Sequence, residues 1–375
     1  MKPTSLTALL ALASNALAWR CDCGYSVNKT DSEHFAIFTQ IAETDFLHVE
    51  IEDPKFSVQF PGWIPLNGTP DDQKNKTFGY TTQSANVVTN ALPKGKWGGP
   101  TAKYGDAGVQ LWVRHWTEKG LVPAAAMANF PAMAFGKMLY GSYRAGIKFS
   151  DVNGTRGAFE WTTSEGTRTQ NISMAVTGEN PNMLILAVRD VDPKNPEHDT
   201  SFNCAFTSIY NLAEEFHEIR FDLLPDRIDF YIDSHLVITE SESVPSVAGA
   251  IMLVHQLDDH REHPPAHDAV MIVDYMKAYY NATTHDEPLE TCYEVTDNLC
   301  VVPDQLTPPN PNGEKTHFYS PLADDGEDKK DEEVGISHAG YLQPDKPNNV
   351  AGAATLWNGL LFASGLLLVA VVRFL

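Results

Sequence analysis

An all-β fold, a sandwich of two stacked antiparallel sheets, is what this sequence predicts, on three observations. Short runs rich in β-branched and aromatic residues recur along the chain. Turn-forming residues separate them at regular spacing, as at Asp151-Val152-Asn153-Gly154, Ser164-Glu165-Gly166, Leu224-Pro225-Asp226 and Asp233-Ser234. Two of the runs, MLILAV and AIMLV, are too continuously apolar for strands with one solvated face and suggest positions in the core between two sheets.

The predicted strands are 109–115, 140–149, 156–161, 169–176, 182–189, 216–223, 227–233, 235–240, 250–256 and 270–280. The run RFDLLPDRIDFYID pairs Ile219–Leu223 with Arg227–Ile232 across a turn containing Pro225, and Asp233-Ser234 turns the chain again. Three consecutive antiparallel strands result. The best helical pattern is the brief SIYNLAEEF, 208–216. Pro123–Met138 (PAAAMANFPAMAFGKM) is read as a loop that could block a groove.

The ends of the chain read differently. Residues 1–18 carry one lysine, a short apolar stretch and Ala16-Leu17-Ala18 before Trp19, the pattern of a secretory signal peptide. Residues 19–300 form one domain. Residues 301–349 are Pro-rich and then acidic, and are read as a disordered stalk. Residues 350–375 place small residues before a terminal apolar tail, which favours a GPI-attachment signal; a short membrane helix ending at Arg373 is the alternative. The expected route is the secretory pathway to the cell surface or wall, with membrane contact through the C-terminal anchor.

Sequons at Asn28, Asn67, Asn75, Asn153, Asn171 and Asn281 agree with secretion. Glycosylation is expected at all of these except Asn171, which lies within a strand. In an oxidising compartment the five cysteines should mostly pair: Cys292 with Cys300 as a local loop, and Cys204 with Cys21 or Cys23, Cys23 being favoured. A formal charge of -22 argues against nucleic acid as a partner, because phosphates are repelled.

TQNISMAV, 169–176, is the informative strand. Side chains alternate between the faces of a strand, so Gln170, Ile172, Met174 and Val176 share one side. Asn171, Ser173 and Ala175 share the other, small and uncharged in a chain with 49 acidic residues.

HEIRFDLLPDRIDFYIDSHLVITESESVPSVAGAIMLVHQ resembles the second half of the family 16 glycoside hydrolases. YGSYRAGIK resembles that family's Tyr-Gly-x-x-Glu-x-Arg-x-Lys strand, and VDYMKAYY its last strand. CDCGY with FTQIAETDFLHVEI resembles a fungal, secreted branch. The resemblance spans about Cys21 to Asn281 and implies a concanavalin A-like jelly roll whose concave sheet holds a groove for polysaccharide, here cell-wall β-glucan or chitin–glucan.

The family carries its chemistry on one strand written Glu-x-Asp-x-Glu. Spacing by two keeps three acids on one face, and retaining hydrolysis needs two carboxyl groups about 5 Å apart. The matching strand is TQNISMAV, where the nucleophile, middle acid and proton donor fall on Asn171, Ser173 and Ala175. The resemblance therefore implies a pseudoenzyme with an emptied site and no catalytic residue. Two further departures are Arg144 and Gly146 in place of the family's Glu and Arg, and His255-Gln256 where a cleft Trp is common.

The candidate carbohydrate contacts are Trp161, whose ring would suit a pyranose face, Asn171, His255 and Gln256. Glu160 is the candidate substitute carboxylate if glycosidase or transglycosylase activity survives. No cofactor is expected. His260, His263 and His267 lie in HQLDDHREHPPAHD and could converge on a metal, although their spacing fits no zinc signature. Asp274 matches a position where some family members hold a structural calcium, which needs six or more oxygens.

Overall fold

The computed structural model describes residues 21–27, 37–48, 63–281, 300–302 and 318–319, apart from residue 22 and gaps at 94, 98–99, 102–104, 130–137, 166–167, 193 and 259–262. The signal-like residues 1–18 and the C-terminal residues 350–375 lie outside these. Among the described residues, no helix is long and apolar enough to cross a membrane.

The chain forms the expected jelly-roll sandwich. The first chain segments give β1 (Tyr25–Ser26), β2 (Ile37–Phe38), β3 (Gln40–Asp45), β4 (Trp63–Pro65), β5 (Phe78–Thr82), β6 (Val87–Asn90), β7 (Pro100–Thr101), β8 (Gly105–Asp106), β9 (Gly108–Val113) and β10 (Gly120–Asn129). The second half follows with β11 (Gly141–Lys148), β12 (Thr155–Glu165), β13 (Arg168–Thr177), β14 (Met183–Val191), β15 (Thr200–Thr207), β16 (His217–Leu223), β17 (Ile228–Ile232), β18 (His235–Glu240), β19 (Ala250–Leu257), β20 (Ala269–Tyr280) and β21 (Cys300–Val301).

One large sheet runs β15-β14-β13-β12-β19-β10-β4, with β5 alongside β10. The other runs β18-β17-β16-β11-β20-β9-β6, with β3 on β20. Between them lies one apolar cluster that includes Phe159, Trp161, Ile172, Met174 and Val176 from the first sheet and Tyr143, Phe221, Phe230 and Val273 from the second. The β16–β17 hairpin pairs Ile219 with Ile232 and Leu223 with Ile228, as its sequence predicts. Asp233 and Ser234 both take positive φ (47° and 64°), the geometry whose twist suits a two-residue hairpin turn.

Three expectations change. Pro123–Asn129 is not a loop but part of β10, with Pro123 and Ala124 paired to β5 and Ala125–Asn129 paired to β19 inside the sheet. Its alanines lack the β-branching by which strands are recognised in sequence. Residues 208–216 form turns rather than a helix. Asn211 accepts a bond from Ala213 N (3.1 Å), and Ser208 Oγ one from Tyr210 N (3.0 Å), local bonds that compete with helix formation. The packed unit also continues past residue 300. β21 pairs with β1, Val302 and Phe318 are buried, and the Tyr319 ring lies 5.6 Å from Tyr25.

The cysteine expectation also changes. Cys21 bonds to Cys300, so Cys300 is not paired with Cys292. Cys23 is disulfide-bonded while Cys204 is free, so those two are not joined. Cys204 sits on the edge strand β15, whereas Cys300 sits on β21, next to the N-terminal β1. Strand pairing across almost the whole chain length outweighs proximity in sequence. Cys292 lies outside the described residues.

On the outer face of the second sheet, β11 and β20 slip register after Gly146, leaving Asp274 as the extra residue. A Cβ on Gly146 would stand 2.0 Å from the Asp274 carboxylate and 2.6 Å from the Tyr275 ring. Gly146→Ala is expected to destabilise the fold by about 1–3 kcal/mol, the usual cost of overpacking, read as a lower urea midpoint.

Candidate functional site

The alternation of β13 is realised as its sequence requires. Ile172, Met174 and Val176 enter the core between the sheets. Asn171, Ser173 and Ala175 therefore project from the opposite, outer face. Across the β12–β13 pairing, Thr162 faces Asn171, Glu160 faces Ser173 and Ala158 faces Ala175. On the other side Arg189, Ala187 and Ile185 of β14 face the same three residues.

Two zones form on this outer face. An apolar strip joins Ala175 to Ala158, Ala126, Ala128, Met252 and Val254, with Leu66 and Ile185 packed against it. Ala175 is fully buried although it does not belong to the inter-sheet core, so the strip is recessed.

The second zone is polar and lies at Ser173. Ser173 Oγ donates to Glu160 Oε1 at 3.0 Å. Arg156 donates to Ser173 Oγ at 2.9 Å and to the same Glu160 oxygen at 3.3 Å. Glu160 is 4% exposed. A carboxylate that deep needs a cationic partner, and Arg156 supplies it. Arg189, half-buried on β14, completes the zone. Burial and the neighbouring Arg156 cation lower its pKa, while Glu160 pulls in the opposite sense.

The chemistry of this arrangement differs from that of a retaining glycosidase, which needs two carboxyl groups about 5 Å apart. Among the described residues that β12, β13, β14 and β19 place on this face, Glu160 is the one carboxylate, and it is tied to a guanidinium. Asn171 Nδ2 makes a long contact of 3.4 Å to Trp161 O, and Asn171 is 9% exposed.

The other candidates disperse. Trp161 is fully buried in the inter-sheet core, its Nε1 donating to Met138 O at 2.9 Å, so it does not line the outer face. Period-two alternation puts it opposite in direction to Glu160. His255 is likewise turned inward, its Nδ1 2.7 Å from Leu111 O on the other sheet. A carbonyl only accepts, so Nδ1 carries the hydrogen. Burial pushes the His255 pKa down to about 4. Gln256 does face outward, opposite Arg156.

His263 and His267 are exposed, and His260 lies outside the described residues. Among the described residues no three His, Cys, Asp or Glu groups are placed to hold a metal ion. Asp274 is packed against Gly146 and Tyr275, with the Asp45 carboxylate and the Lys277 ammonium acting on it, and burial raises its pKa well above the ordinary carboxylate value.

Of the sequons, Asn67, Asn75 and Asn153 are exposed and Asn28 lies outside the described residues. Asn281 is not free for a glycan: it is 7% exposed, its Nδ2 donates to Ile37 O (3.2 Å) and its Oδ1 accepts from Thr39 N (2.9 Å).

Sequence reasoning missed Arg156 and Arg189. Arg156 stands four residues before Glu160, which on a strand means the same face, so its signal was available. Arg189 could be placed only through the β13–β14 register.

No protein-family model matches the chain, and no curated protein matches it. Among solved structures it is similar to a Bacillus licheniformis beta-glucanase, at 15% identity over 64% of this chain and 98% of the other, with a TM-score of 0.47. It is also similar to a family 16 endo-glucanase from Bacteroides ovatus (13% identity, 63% and 98% coverage, TM-score 0.48). A third is the laminarinase catalytic domain from Thermotoga maritima (13%, 65% and 98%, TM-score 0.46). Likeness at this level says nothing about activity.

The inward His255 makes stability pH-dependent. Its folded pKa of about 4 lies below the unfolded value of about 6.5. The neutral ring's contribution is therefore complete above pH ~6.5 and is lost as pH falls toward 4, by at most about 3 kcal/mol. The urea midpoint of His255→Asn should fall less steeply between pH 7 and 4.5 than that of the wild type.

Proposed function

We propose that this chain is a non-catalytic, glycoside hydrolase-like jelly roll that binds polysaccharide on the outer face of the β12–β13–β14 region. The observation that carries the reading is the outward face of β13. It presents an amide, a hydroxyl and a methyl group at the three positions where the resembled family carries acids. The recessed apolar strip beside a polar zone is the mixture that sugar rings require, C–H faces against methyls and hydroxyls against fixed donors and acceptors. The expected ligand is a cell-wall glucan or chitin–glucan. The expected location is the cell surface, reached by secretion and held by a lipid anchor.

A second reading keeps glycosidase or transglycosylase activity with Glu160 as the relocated carboxylate. Its support is that Glu160 stands directly across from Ser173, within the emptied site. Against it stands the geometry: Glu160 Oε1 is engaged by Arg156 and by Ser173 Oγ, and among the described residues that β12, β13, β14 and β19 place on this face there is no second carboxyl to complete the pair.

Mass spectrometry of β-1,3-glucan and chitin oligosaccharides incubated with the full chain separates the two. Unchanged oligosaccharides are expected. Shortened or rearranged products that vanish in Glu160→Gln would overturn the non-catalytic reading. Installing acids by Asn171→Glu with Ala175→Glu should raise hydrolysis from background to a measurable rate, since the pair restores two carboxyls on one strand face.

A further inference from the structure

The polar zone of the outer face is not balanced in charge. Arg156 and Arg189 bring two guanidiniums, and Glu160 brings one carboxylate. Arg156 uses its donors on Glu160 and Ser173. Arg189 has no such partner: among the described residues its guanidinium makes no hydrogen bond or ion pair. Across the sheet it faces Asn171, whose side chain makes only its long contact to Trp161 O.

Arg189 is half-buried, and none of its nitrogens is among the buried polar atoms left without a partner, so its fork of donors is open to solvent and to a ligand arriving from it. The planar fork matches a carboxylate or sulfate bidentately better than it matches a lone hydroxyl. The surrounding charge also favours an anion. Glu160 acts on both cations but supplies one negative charge against two positive ones, so a ligand oxyanion would further reduce the repulsion between Arg156 and Arg189. The chain as a whole is strongly acidic, which opposes an anion at long range. At physiological ionic strength fields beyond about 8 Å are largely screened, so the two neighbouring guanidiniums dominate at contact.

We propose that Arg189, supported by Arg156 and Asn171, seats an oxyanion-bearing sugar unit, so that the polysaccharide held on this face is acidic at the position over β13 and β14. This rests on the reading of the outer face as a polysaccharide site and narrows its ligand class. A uronate carboxylate and a sulfate ester both present such an oxyanion, and the recognising chemistry is the same.

Calorimetric titration of the full chain at physiological salt tests this with four probes: a β-linked polyglucuronate, a sulfated galactan, a β-1,3-glucan and chitin hexaose. At least one acidic glycan should bind about tenfold or more tightly than both neutral ones, the size expected for one charge-assisted hydrogen-bonded pair. Whether the polyglucuronate or the sulfated galactan shows the gain identifies the source of the oxyanion. Arg189→Gln should abolish the preference, and Arg189→Lys, which keeps the charge without the fork, should retain only part of it. A thermal midpoint close to wild type in either variant establishes that it is folded. Neutral glycans bound as well as acidic ones, or a preference that survives Arg189→Gln, would overturn the proposal and leave the polysaccharide reading standing. No binding of any of the four would overturn both.

Discussion

Everything at the candidate site depends on the register of β13. Ile172, Met174 and Val176 are held in the inter-sheet core, and each such burial is worth roughly 1.5–3 kcal/mol. A slip by one residue would turn all three to the outside and drive Asn171 and Ser173 into the apolar interior. Neighbours on both sides reinforce the constraint, because β12 and β14 pair with β13 along nearly its full length. Gln170 ties the same strand to the segment before β19, accepting bonds from Ser246 N and Val247 N. The plain outer face is thus presented by the same interactions that hold the sandwich together.

With the register fixed, the electrostatics of the face follow from a few side chains. A sheet that binds neutral sugars can be lined with amides and hydroxyls alone. This one buries a carboxylate and surrounds it with guanidiniums, which are costly to desolvate unless satisfied. The pairing of Glu160 with Arg156 answers part of that cost, and the Ser173 hydroxyl bridges the two. The opposite sheet buries charges too, pairing Arg220 with Asp222 in the same way and adding hydroxyls and rings. There Tyr275 donates to Glu218 and Tyr279 to Glu43, while the Phe318 ring lies over Lys277.

Much of the fold was legible in the sequence because the strands from β11 to β20 are mostly β-branched or aromatic and bounded by turn residues. β10 was not, since alanine carries almost no strand signal and acquires its place only from β19 and β4 on either side. At the site, the faces of β13 could be assigned from alternation alone. For Glu160 and Trp161 alternation established that only one could face outward, without saying which. The choice depends on the pairing with β13, where Glu160 meets Ser173 and Trp161 meets Ile172. His255 was misread for a related reason: an imidazole is polar enough to look like a groove residue, yet a single acceptor, Leu111 O, sufficed to bury it between the sheets. The cysteine pairing depended on the parallel contact of β1 with β21, an interaction between chain segments too distant for any local pattern to register.

That pairing has a mechanical consequence. The Cys21–Cys300 bond spans 279 residues of sequence and encloses both large sheets in one covalent loop. Tension applied between the segments before residue 21 and after residue 300 is carried across a single sulfur–sulfur link. The hydrogen-bonded strands in between are bypassed and bear no load. Pulling the chain by its ends would peel off the Phe318 and Tyr319 contacts and the Val301–Val302 pairing with β1, and then stop at the disulfide, leaving the outer face of β13 undistorted. Only after reduction would the same pull reach the sheets and begin to unzip them.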